Sequence, residues 1–121
     1  MNAERRTRLE EAGIDVGEAL ERMLGSEALL ERLLGKFPAD PNFAALGEAL
    51  AEGDAQRAVA AAHTLKGVCA NLSMTGLHSL FTRQVEALRG GDMSAAAQLM
   101  EQIAPAMAAV TAAIGDGDGE R

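Results

Sequence analysis

One histidine lies in the middle of a segment of small residues, and it is the side chain of this sequence best placed to act as a nucleophile. On a helix through residues 54–73, successive side chains lie about 100° apart. The apolar side chains then fall on one stripe, formed by Ala58, Ala61, Leu65, Val68, Cys69 and Leu72. His63 lies almost opposite this stripe. The strip around it contains Gln56, Val59, Lys66, Gly67 and Ala70. The helix is therefore expected to pack on one side and to present an imidazole on the other.

Two neighbours of His63 on this helix affect what its ring can do. An imidazole is a competent nucleophile at physiological pH because much of it is then neutral. Lys66 follows three positions later, where its ammonium can offset the negative charge of an incoming group. Gly67 costs about 1 kcal/mol relative to alanine inside a helix, but it leaves room for another surface to approach. The alternative is a surface histidine beside a tolerated glycine, and geometry alone leaves both interpretations open.

The segment from Ala62 to Leu72, AHTLKGVCANL, closely resembles the signature of histidine-containing phosphotransfer (HPt) domains, the phosphocarriers of multistep phosphorelays. Members of that family typically read A-H-x-L-K-G, followed by small residues. The similarity extends over roughly residues 14–112. It implies that His63 is the phosphorylated histidine and that Lys66 is the cation near the phosphoryl group. It also implies that two small residues of the strip, Gly67 and Ala70, give a docking partner room.

Two positions depart from the family pattern. Ser73 stands where the family usually has glycine, so the exit of the histidine helix is expected to differ in shape. Gln84 and Val85 stand where many members have an apolar residue followed by Glu or Gln. Gln84 falls within a predicted apolar stripe and so needs a hydrogen-bond partner. It either satisfies a nearby backbone group or reaches across to orient His63, and we favour the first interpretation.

The resemblance implies a phosphocarrier that has no enzymatic turnover of its own. It would take a phosphoryl group on His63 from an aspartyl phosphate of one receiver domain and pass it to the aspartate of another. Its partners would be response-regulator receiver domains, a hybrid histidine kinase, or both. One alternative is a non-phosphorylated helical adaptor or inhibitor that binds a receiver or kinase domain, but the presence of His63 and Lys66 speaks against it. The other is a small enzyme with His63 as general base, which lacks a second catalytic group.

The remaining candidate residues point to docking rather than to a cofactor. Val59 is an apolar residue on the exposed strip, and with Gly67 and Ala70 it predicts a modest apolar docking patch. No cofactor or metal is expected, because the sequence has no nucleotide-binding glycine loop and no ligand cluster at metal-binding spacing. His78 is interpreted as a surface residue and Cys69 as a small buried hydrophobe.

The composition predicts one all-α domain. The sequence has 121 residues, of which 48% are hydrophobic and only 2% aromatic, so its core must be mainly aliphatic. The formal net charge of -7 argues against nucleic-acid binding, since phosphate backbones are held by clusters of Lys and Arg. One cysteine cannot form a disulfide within this sequence, and no apolar run is long enough for a membrane span. We therefore expect a soluble, cytoplasmic monomer.

The chain is predicted to fold as an up-and-down four-helix bundle with one or two short N-terminal helices. The helical segments cover residues 15–24, 27–37, 42–52, 55–72, 75–89 and 94–113. Residues 1–13 are expected to form an N-terminal extension, residues 14–114 the bundle and residues 115–121 a disordered acidic tail. The basic cluster Arg5-Arg6-Arg8 alternates with glutamates and is interpreted as a solvated first helix or a frayed terminus. Pro105 is expected to kink or break the last helix.

Overall fold

A computed structural model of the chain describes residues 1–115, which contain no β-strand. Its seven α-helices are α1 (Ala3–Glu11), α2 (Val16–Arg22), α3 (Glu27–Lys36), α4 (Pro41–Glu52), α5 (Ala55–Asn71), α6 (Thr75–Arg89) and α7 (Met93–Gly115). A short 3-10 helix, Phe37–Ala39, joins α3 to α4. All six predicted helices form, with ends within two residues of those expected. The predicted acidic tail, apart from Gly115, lies outside the described residues.

Helices α4 to α7 form an up-and-down four-helix bundle. Connections of only two or three residues, at 53–54, 72–74 and 90–92, make consecutive helices antiparallel. Each helix packs against the next one along the chain, and α4 also contacts α7, which closes the bundle. The buried side chains are mostly Leu, Ala, Val, Ile and Met, as the composition requires. The predicted all-α bundle is confirmed, although three short helices rather than one or two precede it.

All the described α-helices except α6 begin at a residue whose side chain accepts a backbone hydrogen bond. Asp15, Ser26, Asp54 and Asp92 each accept a hydrogen bond from the backbone N–H three residues later, at 2.9–3.1 Å. Such caps satisfy N–H groups that have no partner inside the helix. The cap at Asp54 fixes the first turn of α5, and the position of His63 on that helix follows from it.

The first helix packs against the rest of the described structure, so the interpretation of the basic cluster as a solvated or frayed segment is wrong for Arg5, although Arg6 is exposed. Leu9 is fully buried in the core, and Arg5 is almost fully buried. The Arg5 guanidinium forms two hydrogen bonds of 2.8 Å with the carboxylate of Glu31 on α3. It also donates to the backbone carbonyl of Ala113 at 3.3 Å, near the end of α7. Arg5 therefore connects α1 to both α3 and α7.

The last helix continues through Pro105 without the local break that a proline there can cause. A proline inside a helix removes the hydrogen bond to the carbonyl four residues earlier. Here that carbonyl belongs to Glu101, and both Glu101 and Pro105 are exposed. Water can take the place of the lost donor on this side, while the buried side of α7 keeps its backbone ladder.

Candidate functional site

His63 lies on the outward side of α5, as the sequence predicts. The buried side chains of the helix are Ala58, Ala61, Ala62, Leu65 and Cys69. Leu72, directly after the helix, is also buried, whereas Val68 is half-buried. His63 itself is exposed. Five buried side chains on one side hold the helix in place, and the imidazole on the other side is free to meet another molecule.

The imidazole of His63 makes no hydrogen bond and no ion pair within residues 1–115. No carboxylate or carbonyl in that range fixes its ring nitrogens. The half-buried Lys66, one turn further along the same helix, likewise has no carboxylate partner among the described residues. A nucleophile and a cation that are both unengaged can interact with an anionic group brought by a partner.

Gly67 is not required by packing inside the protein. It is exposed, and a Cβ atom added to it would meet no atom of the described residues within 4 Å. Its backbone is ordinary α-helix, so the helix gives no conformational reason for glycine at this position. The absence of a side chain therefore affects only the space outside the protein, next to His63. Val59 and Ala70, which share the strip, have short, half-buried side chains that project little from the surface around the ring.

A groove of about 440 Å³ runs beside this strip, and the sequence did not reveal it. One wall comes from α3 and the 3-10 helix, and the other comes from α5. The groove is lined by Leu33, Lys36, Phe37, Asp40, Thr64, Gly67, Val68, Asn71 and Leu72. Its apolar residues are buried or half-buried and form the floor, and its exposed polar residues form the rim. The rim residue Thr64 directly follows His63 in the sequence. The apolar periodicity of α3 predicts its packed face, but the groove depends on how α3 is placed across α5.

Gln84 does not orient His63. Its amide is fully buried, and its Nε2 donates to the carbonyl of Ala96 at 2.9 Å. The same nitrogen lies 3.3 Å from the sulfur of Met100. Both partners are on α7, so Gln84 links α6 to α7 inside the bundle. The interpretation of Gln84 as a residue that satisfies a backbone group is confirmed, and the proposed contact with His63 is absent.

The backbone conformation at Ser73 explains why glycine is usual at the exit of the histidine helix in HPt domains. Its φ angle is +55°, in the left-handed region that favours glycine. The N–H groups of Ser73 and Met74 donate back to the carbonyls of Ala70 and Cys69, which ends α5 in a Schellman motif. The Ser73 hydroxyl accepts a hydrogen bond of 3.0 Å from Arg22 on α2. This departure from the family pattern keeps the turn and adds a side-chain contact.

Cys69 is the buried residue that the sequence predicts, whereas His78 is less exposed than predicted. Cys69 is fully buried, and burial, together with the negative charge of Asp40, raises the pKa of its thiol to about 12. It is thus a protonated, unreactive core residue at neutral pH. His78 is half-buried and lies near Arg22 and Ser73 at a small cleft, away from any cluster of metal ligands. Within residues 1–115, no group of three or more His, Cys, Asp or Glu side chains could hold a metal ion.

Comparisons with known proteins gave one match. The sequence model of the Hpt domain family matches residues 28–113, which is more than half of the chain. The matched range begins in α3, ends in α7 and includes the whole of α5. A search of curated proteins and a search of solved structures gave no match. None of the helices formed by residues 1–115 is long and apolar enough to cross a lipid bilayer.

Proposed function

Because the chain belongs to the Hpt domain family, whose members serve phosphotransfer in two-component signalling, we propose that it is a phosphorelay carrier. His63 accepts a phosphoryl group from the aspartyl phosphate of one receiver domain and gives it to the aspartate of another. The observation that carries this proposal is the exposed imidazole of His63, which has no partner within the described residues and stands opposite the buried side of α5. The carrier acts in the cytoplasm as a monomer, and a hybrid histidine kinase is a further partner.

The proposed transfer moves one phosphoryl group. A ring nitrogen of neutral His63 attacks phosphorus, and an N–P bond forms as the P–O bond to the aspartate breaks. The aspartate leaves as a carboxylate, and the positive charge stays on the phosphorylated ring until its other nitrogen releases a proton. Phosphoryl transfer requires mainly positioning and charge neutralisation. An exposed imidazole and one cation are therefore sufficient on this side, with the metal ion and the acidic pocket supplied by the receiver.

Lys66 supplies the cation on the carrier's side. It follows His63 by three residues on one helix, where side chains are neighbours. Because no carboxylate among the described residues pairs with it, its charge is available to the three phosphoryl oxygens. We assign it a supporting role in charge stabilisation, since the receiver carries most of the neutralising charge.

The docking surface consists of the strip Val59, Gly67 and Ala70 and the groove beside it. The open space at Gly67 supports this assignment, because none of residues 1–115 occupies that space. The groove adds an apolar floor next to the reacting histidine. An apolar area of contact is the composition expected at the core of a protein interface.

A relay assay with two receiver domains tests the proposal. One receiver is phosphorylated with radioactive acetyl phosphate, the carrier is added, and then a second receiver that carries no phosphoryl group. The proposal predicts label on the carrier that is labile in acid and stable in alkali, followed by its appearance on the second receiver. An adaptor that is not phosphorylated would bind a receiver but take no label. His78→Gln is the matched control for His63→Gln, because it removes the second of the two histidines of the sequence.

A further inference from the structure

An arginine at the end of α2 lies beside the docking strip. Arg22, the last residue of α2, lines a cleft of about 200 Å³ that also touches the second half of α5. The cleft is lined by Glu18, Arg22, Cys69, Ala70, Ser73, Thr75 and His78. Ala70 belongs both to this cleft and to the strip around His63. The cleft is therefore continuous with the proposed docking surface, on the side away from the groove at Gly67.

Within the described residues, the guanidinium of Arg22 is held in place by hydrogen bonds from only one of its three nitrogens. Its Nη2 donates to Glu18 at 3.1 Å and to the Ser73 hydroxyl at 3.0 Å. The donors on Nε and Nη1 have no acceptor within residues 1–115. The side chain is 43% exposed. Three N–H donors on a positioned guanidinium are thus available to an acceptor on another molecule.

Ser73 combines a disfavoured backbone conformation with a side-chain hydrogen bond to Arg22. A non-glycine residue in the left-handed region is disfavoured, and such outliers cluster at functional sites. Glycine would serve the turn without strain, and what serine adds to glycine is a hydroxymethyl group, whose polar part is the hydroxyl. That hydroxyl is buried, and its one hydrogen bond within the described residues is with Arg22. The contact with Arg22 is therefore the structural consequence of having serine here.

A protein docked on His63 would reach the edge of the cleft that Arg22 lines. Ala70 follows His63 by seven residues, which is about 10 Å along a helix axis. An interface of ordinary size covers about 800 Å² on each partner, and a circular patch of that area has a radius of about 16 Å. A patch centred on His63 therefore includes Ala70 and the near edge of the cleft that Arg22 lines.

We propose that Arg22, positioned by Ser73, is a docking residue that binds a carboxylate on the surface of the receiver partner. The inference rests on the proposed function. The protein has a net charge of -7, so an acidic partner needs local cations around His63, and Arg22 adds one to Lys66. Arginine binds carboxylates through several donors at once, which fixes the orientation of a partner as well as attracting it. Glu18, the acidic residue already at Arg22, competes for the same guanidinium.

The experiment measures phosphoryl transfer from a receiver domain at increasing receiver concentration. The probe is the receiver, from a panel charged with acetyl phosphate, that loses its phosphoryl group fastest to the wild-type protein. Arg22→Ala is expected to raise the half-saturating receiver concentration about 10-fold while the maximal rate stays within a factor of two. Ser73→Gly leaves Arg22 in the protein but removes its hydrogen bond to the serine hydroxyl. This variant is expected to raise the half-saturating receiver concentration about 3-fold without lowering the melting temperature. Glu18→Gln is expected to lower it.

Arg83→Ala is the matched control, because Arg83 is exposed, has no ion pair among the described residues and lies at the α6–α7 side. If Arg22→Ala and Ser73→Gly have the same half-saturating concentration as Arg83→Ala, the assignment of Arg22 is overturned. A loss of maximal rate with unchanged half-saturation would also contradict it. Failure of the proposed function would look different, because the wild-type protein would then accept no phosphoryl group from any receiver in the panel.

Discussion

Replacing Gly67 with glutamine separates docking from folding. The new side chain begins in open space, since a Cβ at this position meets no atom within 4 Å in the part of the chain that the structure describes. Glycine costs about 1 kcal/mol relative to alanine in a helix interior, and glutamine costs only a few tenths. The substitution is therefore expected to stabilise the protein by about 0.5 kcal/mol, which corresponds to a rise of about 2 °C in melting temperature.

The same substitution is expected to obstruct the approach of a receiver to His63. A misplacement of about 1 Å in a reacting pair can cost about 100-fold in rate, so transfer from a receiver should fall by about that factor. Labelling by phosphoramidate, a small donor that needs no docking surface, should fall much less. Stopped-flow transfer kinetics and differential scanning calorimetry on one preparation measure both effects.

Gly47→Gln provides the matched control for Gly67→Gln. Gly47 is also an exposed helical glycine with open space around its Cβ position, but it lies on α4 rather than beside His63. Gly47→Gln should show the same gain in stability as Gly67→Gln. Its rate of phosphoryl transfer from a receiver should equal that of the wild-type protein. If Gly67→Gln unfolds the protein, or if both variants transfer at the wild-type rate, the docking role of Gly67 is refuted.

Three further predictions concern single residues. Lys66→Ala should slow transfer or shorten the lifetime of the phosphohistidine without blocking the reaction, and wild-type kinetics at low ionic strength would show that Lys66 is only a solvated helix residue. Leu24 is 95% exposed with φ at +55°, so Leu24→Asn should raise the free energy of unfolding by about 1 kcal/mol in urea titrations. An unchanged or lower value would mean that the left-handed leucine carries no strain. The Cys69 thiol, with its pKa raised to about 12, should resist alkylation at pH 8 in the native protein. Because the unfolded thiol ionises at lower pH than the native one, this residue stabilises the fold fully below about pH 8 and progressively less as the pH rises toward 12. Rapid alkylation of the folded protein, or stability that does not fall in this range, would contradict the burial of Cys69.

The elements of the fold were predictable because their signals are local. Apolar periodicity and capping residues such as Asp54 specify helix limits from neighbours in sequence. The same periodicity placed His63 opposite the buried stripe. The need of Gln84 for a polar partner was also predictable, because its position on the α6 stripe implied burial.

The features that the sequence did not reveal depend on contacts between distant residues. Arg5 pairs with Glu31, which lies 26 residues later in the sequence. The sequence around Arg5 alone therefore gives no sign that the basic first helix is packed. Arg22 meets Ser73 across 51 residues, and no periodicity links the two. The groove beside Gly67 depends likewise on the placement of one helix across another.

The central claim is that His63 carries the phosphoryl group, and mapping the labelled site tests it most directly. The protein is labelled by a phosphorylated receiver, digested with a protease at alkaline pH and analysed by mass spectrometry, with His63→Gln treated in parallel. We predict label on the peptide that contains His63, none on His63→Gln, and stability of that variant within about 0.5 kcal/mol of wild type, because the side chain is exposed. Label at the wild-type rate on His63→Gln, or label mapped to His78, would contradict the account.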